Sequence, residues 1–296
     1  MRPSHTPLLL VEFLAALISA LPSLAHAGAY TSLTVGSGPD DYRSYTVNAN
    51  AGLFDLPVQL NLSHFRAKSA QADDVTQSVV GLDWTAARLL SVGISHSKIS
   101  DGTLDVSGND AMLSFSLNEL WKGELRTVID AGYGKSDYTP AVHPIGVNSQ
   151  SLIQKRNSVG LRQDLTPSFA VYGSHDRYNY DRNPTAIAIF LILSSRNTSN
   201  VAYTLLGFPD KTNSLGITWR PSDSLTLDLS SSKTVTLLEQ QLVSKRLSLD
   251  YQVNDAVNIA TAVTRSSSTA LLRASGQTVQ AATNDTYLDL TAGWTF

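Results

Sequence analysis

From Tyr30 to the C-terminus, apolar and polar residues alternate with a period of two, and this limits the fold more than any other feature. Val58-Gln59-Leu60-Asn61-Leu62-Ser63 alternates without a break, as do Leu225-Thr226-Leu227-Asp228-Leu229-Ser230 and Leu247-Ser248-Leu249-Asp250-Tyr251. Period two puts one apolar and one polar face on each extended segment, because successive side chains leave a strand on opposite sides. With Gly, Pro, Asn and Asp as punctuation, the pattern predicts strands at 29–37, 42–53, 57–67, 75–85, 88–99, 104–117 and 123–136. It continues with 150–165, 168–179, 210–219, 224–235, 241–253, 256–267 and 284–296, fourteen in all.

Most of these segments approach the 9–11 residues that a tilted strand needs to cross a bilayer, against about 5–6 in a soluble sandwich. Composition separates the two architectures further. Charged residues make up 16% of the chain, well below the roughly 25% of an ordinary soluble domain. The polar face is Ser, Thr and Asn, as a wet interior requires. Connections alternate between tight turns, such as Thr166-Pro167-Ser168 and Asn254-Asp255-Ala256, and a set that is mostly longer, including 137–149, 180–209 and 268–283. Short periplasmic turns and long extracellular loops belong to a transmembrane barrel. The expected fold is an all-β, antiparallel, up-and-down transmembrane β-barrel over 28–296, with fourteen strands and sixteen as the alternative.

Ahead of the barrel, residues 1–27 read as a cleaved secretory signal peptide: Arg2, an apolar run from Leu8 to Leu21, and the small-residue end Ala25-His26-Ala27. The chain has no cysteine, which excludes disulfides and thiolate chemistry. A net charge of −3 gives no sign of a nucleic-acid partner.

The C-terminal segment Tyr287-Leu288-Asp289-Leu290-Thr291-Ala292-Gly293-Trp294-Thr295-Phe296 resembles the targeting strand of bacterial outer-membrane β-barrel proteins. Phe296 is the terminal aromatic, and Trp294, Leu290 and Leu288 continue its alternation; Thr291 departs from the glycine often found there. The resemblance covers architecture over 29–296 and is porin-like without a specific family. It implies export to the Gram-negative outer membrane, insertion by the barrel-assembly machinery, and contact with outer-membrane lipid and lipopolysaccharide.

The outward parity carries a second regularity. In six rising strands a basic residue follows the first outward residue by eight positions: Arg66, Lys98, Lys135, Arg177, Lys233 and Arg265. Descending strands show the mirror order at Arg43, Lys155, Lys211 and Lys245. Eight tilted steps rise roughly 20 Å, close to the apolar band of about 25 Å. The ten residues form an extracellular basic rim, read either as a lipopolysaccharide-phosphate site or as snorkelling charge at the interface. Trp84, Trp219, Trp294 and Tyr251 fall at the periplasmic end of the same face as an aromatic girdle.

The inward parity collects Asp83, Asp130, Asp164, Asp228, Asp250 and Asp289 with Arg126, Arg156, Arg162 and Arg246. Such a wall is either a hydrated surface of cross-strand pairs or an acidic periplasmic half with mild cation preference. His64, His96 and His175 repeat one slot, two residues before a rim cation, which points to interface placement and not to catalysis. The outer-membrane phospholipase pattern needs a serine where Arg66, Lys98 or Arg177 stands. No metal-ligand spacing or cofactor motif is present, and no catalytic residue is assigned.

One run stands apart. Ala186-Ile187-Ala188-Ile189-Phe190-Leu191-Ile192-Leu193 is too short for a membrane helix. It can fold into the lumen, form an extracellular hairpin, or add two strands with Val201–Leu206; its two apolar faces favour the inward fold. The function expected is an outer-membrane channel for small solutes or ions, constricted by loop 180–209. The alternatives are a plugged barrel serving export, assembly or surface structure, and more remotely a lipid-modifying enzyme.

Overall fold

The computed structural model describes residues 28–53, 56–70, 72–102, 104–121, 123–140, 151–184, 208–272 and 278–296. The signal segment 1–27 and most of loop 180–209 lie outside them, so the placement of the apolar run 186–193 does too. The first seven strands are β1 (Ala29–Ser37), β2 (Arg43–Gly52), β3 (Val58–Ser69), β4 (Ala72–Ala87), β5 (Leu90–Ser100), β6 (Leu104–Ser116) and β7 (Thr127–Pro140). They continue as β8 (Leu152–Thr166), β9 (Phe169–Tyr180), β10 (Pro209–Ser222), β11 (Leu225–Thr236), β12 (Gln241–Asn254) and β13 (Val257–Ser268). A small hairpin, β14 (Leu271–Leu272) with β15 (Thr278–Gln280), precedes β16 (Thr283–Thr295), and one helical turn, α1 (Asn118–Trp121), joins β6 to β7.

Fourteen strands, β1–β13 and β16, form a closed barrel in which each pairs antiparallel with its sequence neighbours and β16 returns to β1. Closure is what a bilayer demands, since every backbone N–H and C=O in hydrocarbon must find a partner and an open sheet leaves an edge. β9 pairs directly with β10, from Arg177↔Lys211 to Phe169↔Trp219. The wall therefore closes without residues 186–193 and 201–206, and the sixteen-strand alternative is set aside.

The start of β1, the end of β16 and the tight turns gather at one end of the barrel. Register shifts sit beside four of these turns, at Thr85/Ala87, Asp164/Thr166, Trp219/Ser222 and Gln252/Asn254. A bulge at a barrel rim bends the strand and lets a short turn reverse it. Two expectations need correction here. The β6–β7 connection is not a plain tight turn with a strand from 123. Residues Asn118–Trp121 coil once, Gly123 N–H donates to Asn118 O, and pairing resumes at Thr127. At the other end three connections, β3–β4, β5–β6 and β11–β12, are also short.

Apart from Met112, which faces the lumen, the large exposed hydrophobics of the described barrel strands fall on one parity. Leu215 is 71% exposed, and Val35, Leu82, Ile94, Val159, Leu247, Leu288 and Leu290 belong to the same register class. Such a belt is stable only against lipid. No helix among the described residues is long and apolar enough to cross a membrane.

Candidate functional site: the barrel lumen

Side chains that reach over an intervening strand identify the concave face, because inside a closed barrel such side chains converge and outside they diverge. Arg156 on β8 bonds Asp110 on β6 at 2.7 Å, across β7. Tyr172 on β9 donates to Asp228 on β11 at 2.8 Å, across β10. Tyr30 on β1 donates to Asn258 on β13 at 3.2 Å, across β16, and Arg246 on β12 meets Asp289 on β16 at 3.1 Å, across β13. The first three crossings pass over Gly134, Gly216 and Gly293, where a Cβ would collide with the bridging side chain. Glycine is needed there for close approach.

On this face the paired register places all six sequence-derived aspartates, Asp83, Asp130, Asp164, Asp228, Asp250 and Asp289. It places Arg156, Arg162 and Arg246 there as well, and Arg126 stands just before β7 with its carbonyl accepting from Asp164 N–H. Three further aspartates join them: Asp110, Asp176 and Asp285. Among the described residues that this register places, nine carboxylates thus accompany four arginines. Arg156–Asp110, Arg162–Asp164 (3.5 Å) and Arg246–Asp289 are ion pairs. Several of the others accept hydrogen bonds: Asp83 from Asn61 (2.6 Å), Asp130 from Ser114 (2.5 Å) and Asp250 from Asn258 (3.1 Å). These donors orient the carboxylates without cancelling their charge.

The wall encloses a cavity of about 580 Å³ against β1–β6, lined by Asn48, Asn50, Asn61, Asp83, Ser95 and the Asp110–Arg156 pair. The adjoining stretch of wall, β5–β9, is filled at its extracellular end. Leu104, Val106, Tyr138 and Leu152, all on inward parity, pack with Phe208 into a buried apolar cluster, and Ile99, Tyr180 and Leu238 lean on it. Tyr180 O–H caps this cluster by donating to Pro209 O at 2.7 Å and is reached by Gln154 Nε2 at 2.7 Å. The lumen is therefore eccentric at its mouth.

The ten rim cations Arg43, Arg66, Lys98, Lys135, Lys155, Arg177, Lys211, Lys233, Lys245 and Arg265 fall on the outward parity, toward the extracellular strand ends. His64, His96 and His175 lie on that face as well. His64 Nδ1 is 3.0 Å from Ser78 Oγ, His96 Nδ1 is 3.0 Å from Asn109 Oδ1, and His175 Nδ1 is 2.8 Å from Asn213 Oδ1. Three equivalent cross-strand bonds, two of them to amides, describe a repeated interface position. Outside the spanning segments, Asp181 accepts from Ile153 N–H at 2.9 Å, and this bond holds its carboxyl below the usual range. Among the described residues no group of His, Asp or Glu has metal-binding geometry.

Leu288, Leu290 and Trp294 lie on the outward face of β16, and Phe296 N–H donates to Ala29 O at 2.8 Å, which seals the last residue to the first strand.

Comparison with solved structures agrees with this geometry. The Pseudomonas putida toluene transporter TodX matches at a TM-score of 0.52 and 12% identity, over 95% of this chain and 93% of that one. The CymD monoaromatic hydrocarbon channel matches at 0.50 and 10%, over 91% and 87%. The KdgM porin matches at 0.42 and 9%, over 90% and 99%. The fold is that of a porin-like outer-membrane β-barrel. No protein-family model matches the sequence. No curated protein matches it either.

Proposed function

We propose that this barrel is an outer-membrane channel through which small, hydrated solutes pass, with a preference for cations. The observation that carries this reading is the imbalance among the described residues of the inward face, nine aspartates with four arginines, three of the arginines being ion-paired. Rings of carboxylates in a pore lower the energy of cations and raise that of anions. The path runs along β1–β6, where the cavity is open, and avoids the apolar cluster under β5–β9. Two barrels of similar fold are a toluene transporter and a monoaromatic hydrocarbon channel. The cavity here has a mixed wall, with asparagine, serine, aspartate and Arg156 beside Tyr30, Leu62, Val79, Ile94 and Met112, and its polar groups supply the hydrogen bonds and charge that a hydrated solute needs.

Planar-bilayer recording on the refolded protein tests the proposal. The expected result is a steady conductance whose reversal potential under a salt gradient is displaced toward the cation equilibrium value. A correctly inserted barrel that stays non-conducting, including after deletion of residues 184–206, removes the channel reading. A conducting but anion-selective barrel removes only the cation preference.

A further inference from the structure

At the extracellular end of the outward face, cations stand directly opposite cations. Lys135 pairs with Lys155, Arg177 with Lys211, and Lys245 with Arg265. Directly opposed strand residues have Cβ atoms about 4.5–5.5 Å apart, and like charges there destabilise the sheet. A ring of snorkelling lysines has no need of this arrangement, since neutral positions exist on every strand. Lys98 faces Ser78 and Ser107, and Lys233 faces Asn213 and Val243.

The same rim shows what such a cluster requires. Arg43 lies opposite Lys68, and Arg66 is two residues from it. There the chain supplies its own anion on the Lys68 side of the pair: Asp74 bridges Arg66 at 2.6 Å and Lys68 at 3.0 Å along β3. The other three pairs receive much less. Lys135 has a single long contact with Asp137 at 3.8 Å. Among the described residues no carboxylate forms an ion pair with Lys155, Arg177, Lys211, Lys245 or Arg265. Arg265 Nε donates instead to the neutral Asn284 Oδ1 at 2.9 Å. The neighbouring segments 141–150, 185–207 and 273–277 contain no Asp or Glu in their sequence, so they hold no carboxylate to supply.

The surface immediately below fixes the kind of anion. Leu247 follows Lys245 by two positions and is 52% exposed, Val263 precedes Arg265 by two, and Leu215 follows Lys211 by four. A ligand seated here meets two cations at its head and an apolar wall along its body. We propose that Arg177–Lys211, Lys245–Arg265 and Lys135–Lys155 are seats for the phosphate groups of a phosphorylated lipid of the outer leaflet, each phosphate taking the place that Asp74 fills between Arg66 and Lys68.

The proposal makes a prediction of opposite sign in two media. The test compares Lys211→Gln/Lys245→Gln with Lys98→Gln/Lys233→Gln, which remove equal charge from opposed and unopposed positions. In lipid-free neutral detergent the first variant should unfold at a higher temperature than wild type, because a repulsion is gone, while the second stays near wild type. With a phosphorylated lipid A-type glycolipid added, wild type should gain stability by mass action, and the first variant should retain the lipid about tenfold less well. Equal behaviour of the two variants overturns the proposal. Equal stabilisation of wild type by the dephosphorylated glycolipid does so too. If inorganic phosphate alone, without an acyl chain, reproduces the full stabilisation, the seats bind a free ion and the lipid assignment fails.

Discussion

Tyr172 lies over Gly216 and donates its hydroxyl to Asp228 two strands away, at 2.8 Å. Thr218 donates to the other oxygen of the same carboxylate at 2.9 Å. One missing side chain on β10 thus lets β9 and β11 communicate directly inside the lumen. Gly216→Ala should push the ring aside and lose this bond at a cost of about 1 kcal/mol. Denaturant unfolding of Gly216→Ala, Tyr172→Phe and the double variant checks it, and the two effects should fail to add.

Arg156 and Asp110 meet across Gly134 on the cavity wall. Arg156→Gln leaves Asp110 unmatched, so the reversal potential should move further toward the cation value. Asp110→Asn should move it the other way, and single-channel recording under one salt gradient reads both. Identical shifts from the two variants would remove this pair from the permeation path.

The outward and inward classes make opposite claims about neighbouring residues. Leu215 is 71% exposed on the lipid-facing register, while Ser214 shares the lumen register with Ser174 and Ser232. Leu215→Arg should cost about 2–4 kcal/mol if it sits near the bilayer midplane, whereas Ser214→Arg should cost far less. Urea-dependent folding into vesicles measures the difference, and equal costs would reverse or erase the face assignment.

Leu152 is wholly buried in the apolar cluster at the lumen mouth. Leu152→Ala should destabilise the barrel by about 2–5 kcal/mol, the range for a buried leucine whose cavity does not collapse. The same variant should raise conductance if the cluster narrows the mouth. Stability falls in either case, so the conductance measurement is the one that locates the cluster on the solute path.

Asp181 accepts from Ile153 N–H, and Ile153 O accepts from Asp181 N–H at 3.0 Å. The folded carboxyl titrates below its ordinary value, so its contribution is present above the unfolded pKa and is lost as pH falls through the folded one. Amide exchange at Ile153, corrected for its intrinsic rate, should accelerate on acidification. Asp181→Asn should abolish that pH dependence.

The strand positions were readable because each obeys one strict rule, alternation, and the turns use residues with fixed geometric preferences. The helical turn at Asn118–Trp121 was not, since Leu120 and Trp121 suit a strand end equally well and four residues carry no periodicity. Asp110 sits on the inner face beside Met112, whose apolar side chain obscures the polar parity of β6. Asp176 stands between His175 and Arg177, whose outward, basic pattern masks its inward parity in the sequence. The mouth cluster was harder still. Leu104, Val106 and Leu152 break the polar inner face, and they are buried against Tyr138 and against Phe208, which precedes β10 and is far from them in sequence. The opposed cations are legible only once register pairs them across strands.

The first and last strands share eight residue pairs, from Tyr30↔Thr295 to Ser37↔Leu288. This seam joins the most distant parts of the sequence, so the contacts that complete the barrel have the greatest loop-closure entropy to overcome. Until the seam forms, every partial assembly exposes two unsatisfied sheet edges, each a template for pairing with another chain. A chain lacking its final residues is therefore not a slightly smaller barrel. It is an open sheet, and its expected fate is aggregation and degradation.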